Sequence, residues 1–89
     1  MPDQVIDAVM AHALHADACR DHALVAWVVM RDAPVYPDQF IARMATKQLS
    51  PYVLAAETLA GVQEQLPPGL VRAERQLEDP PEVVEIWFA

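Results

Sequence analysis

Glycine, cysteine, serine and basic side chains are scarce in this chain of 89 residues. The two glycines, Gly61 and Gly69, stand eight positions apart, which excludes a glycine-rich loop of the kind that cradles phosphates. A single cysteine, Cys19, cannot form a disulfide within the chain. The one serine, Ser50, precedes Pro51, a setting that reads as turn chemistry rather than as a nucleophile. Six Lys and Arg stand against 13 Asp and Glu, for a formal charge of −7. Affinity for nucleic acid comes largely from neutralising phosphates, and affinity for anionic membranes from basic clusters, so this balance disfavours both. No apolar run approaches the ~20 residues that would span a bilayer. The longest, residues 23–30, has the length of a strand. Met1-Pro2-Asp3-Gln4 offers neither a basic nor an apolar leader region, so a cytoplasmic protein is expected.

What the chain does have is apolar content. Hydrophobic residues make up 54% of it, which argues against disorder, but 15 of them are alanines, so few large side chains are left for a core. The length fits one domain spanning 1–89, with a helical segment at 1–22 and an α+β core over 23–89. At this size roughly two thirds or less of the unfolded surface can be buried, and oligomerisation commonly supplements such thin cores.

Asp3 is a plausible cap for a helix running to about His22, with Val5, Ile6, Val9, Met10 and Ala13 at helical spacing. Ala23 to Arg31 is apolar on both faces, as a central strand is. Residues 32–38, with Pro34 and Pro37, predict a turn. Phe40 to Thr46 alternates as a second strand, 46–51 predicts a turn, and Tyr52 to Ala56 a third strand. Short connections favour an antiparallel meander of these three. Glu57 or Thr58 then caps a short helix with Leu59, Val62 and Leu66 along one stripe, and Pro67-Pro68-Gly69 ends it. Leu70 to Arg75 and Glu82 to Phe88 predict two more strands. The expected fold is α+β in the order α-β-β-β-α-β-β, with a helix packed on one face of the sheet.

His12, His15, Cys19 and His22 fall within about an 80° arc of the first helix. Imidazole and thiolate one turn apart suit zinc, which makes His15 and Cys19 the candidate ligand pair. The four span roughly 15 Å, too far for one ion, and the ordinary alternative is solvated histidines on an alanine-rich helix. Cys19 beside a histidine also resembles a thiolate pair, but no third orienting group is in view. Arg43 and Arg72 each interrupt an apolar strand face, where a guanidinium can bind a carboxylate or phosphate ligand; the alternative is an ion pair with Glu74 or Glu85. Glu82 and Glu85 lie three apart in a strand and face opposite sides, so they cannot act together. Glu74, Glu78 and Asp79 read as a solvated acidic edge. Trp27, Trp87 and Phe88 are the large aromatics left over; Trp27 is expected in the core, and Trp87 and Phe88 are candidate partner contacts.

Tyr36-Pro37-Asp38-Gln39-Phe40-Ile41-Ala42-Arg43, Pro51-Tyr52-Val53-Leu54-Ala55-Ala56-Glu57-Thr58-Leu59, Leu66-Pro67-Pro68-Gly69-Leu70, Arg75, and Asp79-Pro80-Pro81-Glu82-Val83-Val84-Glu85-Ile86-Trp87 together resemble a family of short bacterial proteins. The likeness covers roughly two thirds of the chain, from about Trp27 onward. The family carries no assigned activity, so the resemblance implies no catalytic residue. A weaker likeness is to the N-terminal domain of HicB-type antitoxins, in which three strands lead into a helix opening on a Thr-Leu step, as Thr58-Leu59 does here. This chain lacks that family's glycine-rich strand turns and its DNA-binding segment.

These features point to a small acidic protein without enzymatic activity or cofactor that binds protein partners and forms a homodimer. The alternatives are a small-ligand or metal-binding domain, using Arg43 with Arg72 or His15 with Cys19, and an acidic mimic of nucleic acid or antitoxin-like inhibitor.

Overall fold

A computed structural model describes residues 4–31, 38–73 and 81–89. Among these residues the chain is α+β, with two helices and a six-stranded mixed sheet. The elements are β1 (Gln4–Val5), α1 (Ala8–Asp21), β2 (Ala26–Arg31), β3 (Phe40–Ala45), β4 (Leu49–Ala56), α2 (Leu59–Gln65), β5 (Val71–Ala73) and β6 (Val83–Phe88). Across the sheet they run β1-β4-β3-β2-β6-β5. The expected meander is there as β2-β3-β4, antiparallel throughout. The hairpin β5-β6 adds to the other side of β2. Turn residues 32–37 and the acidic residues Glu74, Glu78 and Asp79 lie outside the described residues.

The first helix begins later than expected. Gln4 and Val5 pair in parallel with Tyr52 and Val53, and Ile6 donates its N–H to the Val53 carbonyl at 2.8 Å. Asp7, not Asp3, is the cap, and its carboxylate accepts the Met10 N–H at 2.8 Å. The expected apolar stripe is also reversed. Val9 is 79% exposed and Met10 50%, whereas Ala11 and Ala18 are buried, with Leu14 and His15 half-buried between them. The reason lies beneath the helix. Trp27, 0% exposed, fills the space under α1, and only small side chains let the helix approach a sheet that already carries an indole there.

Pairing also starts earlier in the third strand of the meander, at Leu49 rather than Tyr52. The register slips between Arg43 and Ala45, so Ser50 and Pro51 sit in an irregular stretch. Proline lacks the ladder donor and is tolerated at such a bulge. After α2, Gly69 turns the chain with φ of 83°, a conformation that a Cβ disfavours.

Both helices lie on the same face for a topological reason. β1, β4, β2 and β5 point the same way, and the chain crosses the sheet twice in one sense, through β1-α1-β2 and β4-α2-β5. Crossovers of one hand place their helices on one face. The core forms there: Ala11 and Ala18 of α1 and Val62 of α2, with Leu66 at the end of α2, pack with Trp27, Val29, Ala42, Met44 and Leu54 of the sheet. Among the described residues no helix is long and apolar enough to cross a membrane.

Candidate functional site

Three places concentrate the chain's polar and aromatic chemistry. The first is built by β6 and its neighbours. Cross-strand partners share a face, so the register puts Arg72, Trp87 and Trp27 on the helix side, together with Glu85 and Val29. Glu85 is 6% exposed. Its Oε1 accepts from Gln63 Nε2 at 2.9 Å and from the Trp87 indole N–H at 3.1 Å, and its Oε2 accepts from Arg72 at 3.1 Å. Burial by itself would raise the carboxyl pKa; the bonds from Gln63, Trp87 and Arg72, with the Arg72 charge, outweigh it and hold the pKa below its ordinary value. Glu85 is therefore ionised with both oxygens engaged, an arrangement suited to tying α2 and β5 to β6 and unsuited to taking a proton from a substrate. Arg72 meets the carboxylate that the sequence offered as its alternative partner.

The second place is on α1. The Trp27 indole N–H donates to His15 Nδ1 at 3.1 Å. An indole has only a donor, so Nδ1 must carry the lone pair and the neutral ring's proton sits on Nε2. That N–H faces Cys19 Sγ at 3.5 Å. Burial, then the charge of His12, lowers the His15 pKa. Zinc requires the opposite tautomer, with the ligating nitrogen bare and the other donating to a second partner. Zinc at His15 and Cys19 would thus have to displace the Trp27 hydrogen bond. In this tautomer the nitrogen facing the thiol already carries the proton, so His15 does not act as a base towards Cys19. Among the described residues no cluster of three or more metal-ligating side chains occurs.

The third place is the sheet face that points away from both helices. Val28 and Met30 of β2, Ile41 of β3, Val53 of β4, and Ile86 and Phe88 of β6 share it, with Ala26, Ala45 and Ala55 among them. Ile41 and Val53 are buried in its middle; Val28, Met30, Ile86 and Phe88 are half-buried. Arg43 is the one ionisable side chain among the described residues that these strands put there. Its guanidinium donates to the Ser50 carbonyl at 2.9 Å, satisfying a group left over by the irregular stretch of β4.

Two sequence pairings come apart in three dimensions. Arg43 and Arg72 project from opposite faces, so they cannot converge on one ligand. Trp87 and Phe88, neighbours in one strand, likewise divide: Trp87 packs against the helix-side core, and Phe88 stands on the other face. Gln63 is the partner of Glu85 that the sequence does not show, because it lies on α2, 22 positions away. The chain matches no protein-family model, no curated protein and no solved structure.

Proposed function

We propose that this chain is a non-enzymatic binding module that pairs with a second copy of itself, apolar sheet face against apolar sheet face. The observation that carries this reading is the make-up of that face. In a chain with 13 acids it bears no carboxylate among the described residues, and its single cation is already turned onto a backbone carbonyl. Ile41 and Val53 at its centre are already buried within the chain, and the half-buried Val28, Met30, Ile86 and Phe88 around them supply the apolar surface that a second copy would cover. Sheet-on-sheet packing of this kind is the arrangement of a β-sandwich.

The sheet edges favour a face over an edge as the meeting point. At the β4 edge, β1 covers Tyr52 and Val53, Pro51 withholds a donor, and the Gln65 side chain donates to the Ala55 carbonyl at 3.3 Å. The other edge, β5, is only three residues long. The engaged Glu85 carboxylate and the His15 tautomer support a role without catalysis.

Sedimentation across a concentration series tests the reading. The expected outcome is a reversible monomer–dimer equilibrium that Val28→Glu shifts to monomer while the far-ultraviolet circular dichroism is retained. A wild-type chain that stays monomeric at high concentration, or a folded V28E that still dimerises, would sink it.

A further inference from the structure

The helix face carries a device that the dimer reading does not use. Trp27 is fully buried, and its N–H has one recorded acceptor, His15 Nδ1. Among the described residues every other tie between α1 and the sheet is weak by construction. The helix turns its two large apolar side chains of the first turn, Val9 and Met10, to solvent, and lays Ala11 and Ala18 on the sheet with Leu14 as the one large apolar side chain packed half-buried beside them. Its ion pair, Arg20 with Asp17, is local to the helix and exposed. A protonated imidazole has two N–H groups and no lone pair. Adding a proton to His15 sets N–H against N–H at the one polar contact recorded between α1 and Trp27.

We propose that the Trp27–His15 hydrogen bond is a proton-released clasp: protonation of His15 frees α1 from the sheet while the sheet and α2 remain folded. Release would uncover the apolar surface around Trp27, Ala42 and Leu54, a second binding face available only in mildly acidic surroundings.

Among the described residues few ionisable groups face His15. On its own helix, His12 and Cys19 flank it one turn to either side, and the His12 charge acts in the same direction as burial, against protonation in the closed form. β2 presents Trp27, and β4 presents Tyr52 on the same sheet face. β6 presents Glu85, whose charge is engaged by Gln63, Trp87 and Arg72. Among the described residues none supplies an acceptor for a doubly protonated ring at Nδ1 in place of the indole. The closed form thus binds the proton less readily than the open form, where the ordinary histidine value of 6.5 applies. Opening of α1 becomes more favourable by about tenfold for each pH unit below that value, until the closed form itself takes up the proton.

Hydrogen exchange followed by nuclear magnetic resonance between neutral pH and about pH 5, a range on either side of an ordinary histidine pKa, reads this directly. Protection factors in α1 are expected to fall once the pH drops below the ordinary histidine value of 6.5, by at most about tenfold per pH unit, while those in β2, β3 and β6 hold. The Trp27 indole N–H resonance should move with the same midpoint, and the Trp87 resonance, bonded to Glu85, should not. In His15→Asn, whose side-chain oxygen can take the place of Nδ1 without titrating, α1 protection should be flat. Parallel loss of protection in helix and sheet, a Trp27 indole resonance that does not titrate, or an unchanged pH dependence in H15N would each overturn the proposal. All three readouts concern the helix face, so their failure leaves the dimer reading standing, and the reverse holds.

Discussion

Glu85 shows what a buried charge needs in a thin core. A desolvated carboxylate costs several kcal/mol unless donors surround it, and here Gln63, Trp87 and Arg72 do so. The burden is unequal. The Arg72 side chain is 63% exposed, so its ion pair is screened by water, whereas Gln63 and Trp87 bond within the packed face. Glu85→Ala should therefore cost about 2–3 kcal/mol in urea unfolding, leaving two donors without an acceptor. Arg72→Ala should cost about 1 kcal/mol or less. Equal losses would show that the ion pair, not the neutral bonds, holds the carboxylate. The pH dependence carries a sign. The folded-state pKa of Glu85 lies below its ordinary 4.5, so its contribution is complete above that value and is lost as pH falls through the folded pKa. Glu85→Gln should abolish that acid step in unfolding titrations. His15, whose folded pKa is also lowered, acts in the same direction but earlier, its contribution being complete above 6.5 and fading below it.

At the scale of elements the helices give predictions opposite to those of propensity tables. Gly61 lies inside α2, where alanine ordinarily gains about 1 kcal/mol. A Cβ there would meet the Ala56 Cβ at 3.0 Å and Thr58 Oγ1 at 3.1 Å, and Thr58 Oγ1 is also the cap that accepts the Gly61 N–H. Gly61→Ala should thus destabilise the fold, measured as a lower midpoint of thermal unfolding. A rise would mean that Ala56 and Thr58 yield easily. On α1, Val9→Gln should be nearly neutral, within about 0.5 kcal/mol. Ala11→Leu should cost about 1–3 kcal/mol by overpacking against the sheet. Those two signs mark where the sequence was legible and where it was not. Hydrophobic alternation and length show β2, β3 and β6, and Thr58 with Leu59, Val62 and Leu66 marks α2, because local pattern alone decides them. The inward face of α1 follows instead from a tryptophan 12 positions away from His15, and no helical spacing reports on that. β1, with two residues, is too short to have a period and exists only because β4 is beside it. The split of Arg43 from Arg72 depends on sheet order in the same way.

For the whole molecule, charge and apolar area pull in opposite directions. Each copy carries −7, with a sequence pI near 4.6, so two copies repel at neutral pH. Among the described residues the face proposed to join them carries one ionisable side chain, Arg43, and its attraction comes from removing apolar surface from water, which ordinary salt does not weaken. The repulsion between the remaining surfaces is screened over about 10 Å at 0.1 M salt and about 30 Å at 0.01 M. Raising the ionic strength across that range should therefore tighten the dimer, the reverse of an interface joined by ion pairs. A sedimentation series at neutral pH, where the His15 clasp stays closed, checks this with concentration and salt varied independently. A dimer that loosens as salt is added would mean that charged groups hold it, and would move the contact from the Val28, Ile86 and Phe88 face to one bearing both signs, such as the Asp17 and Arg20 side of α1.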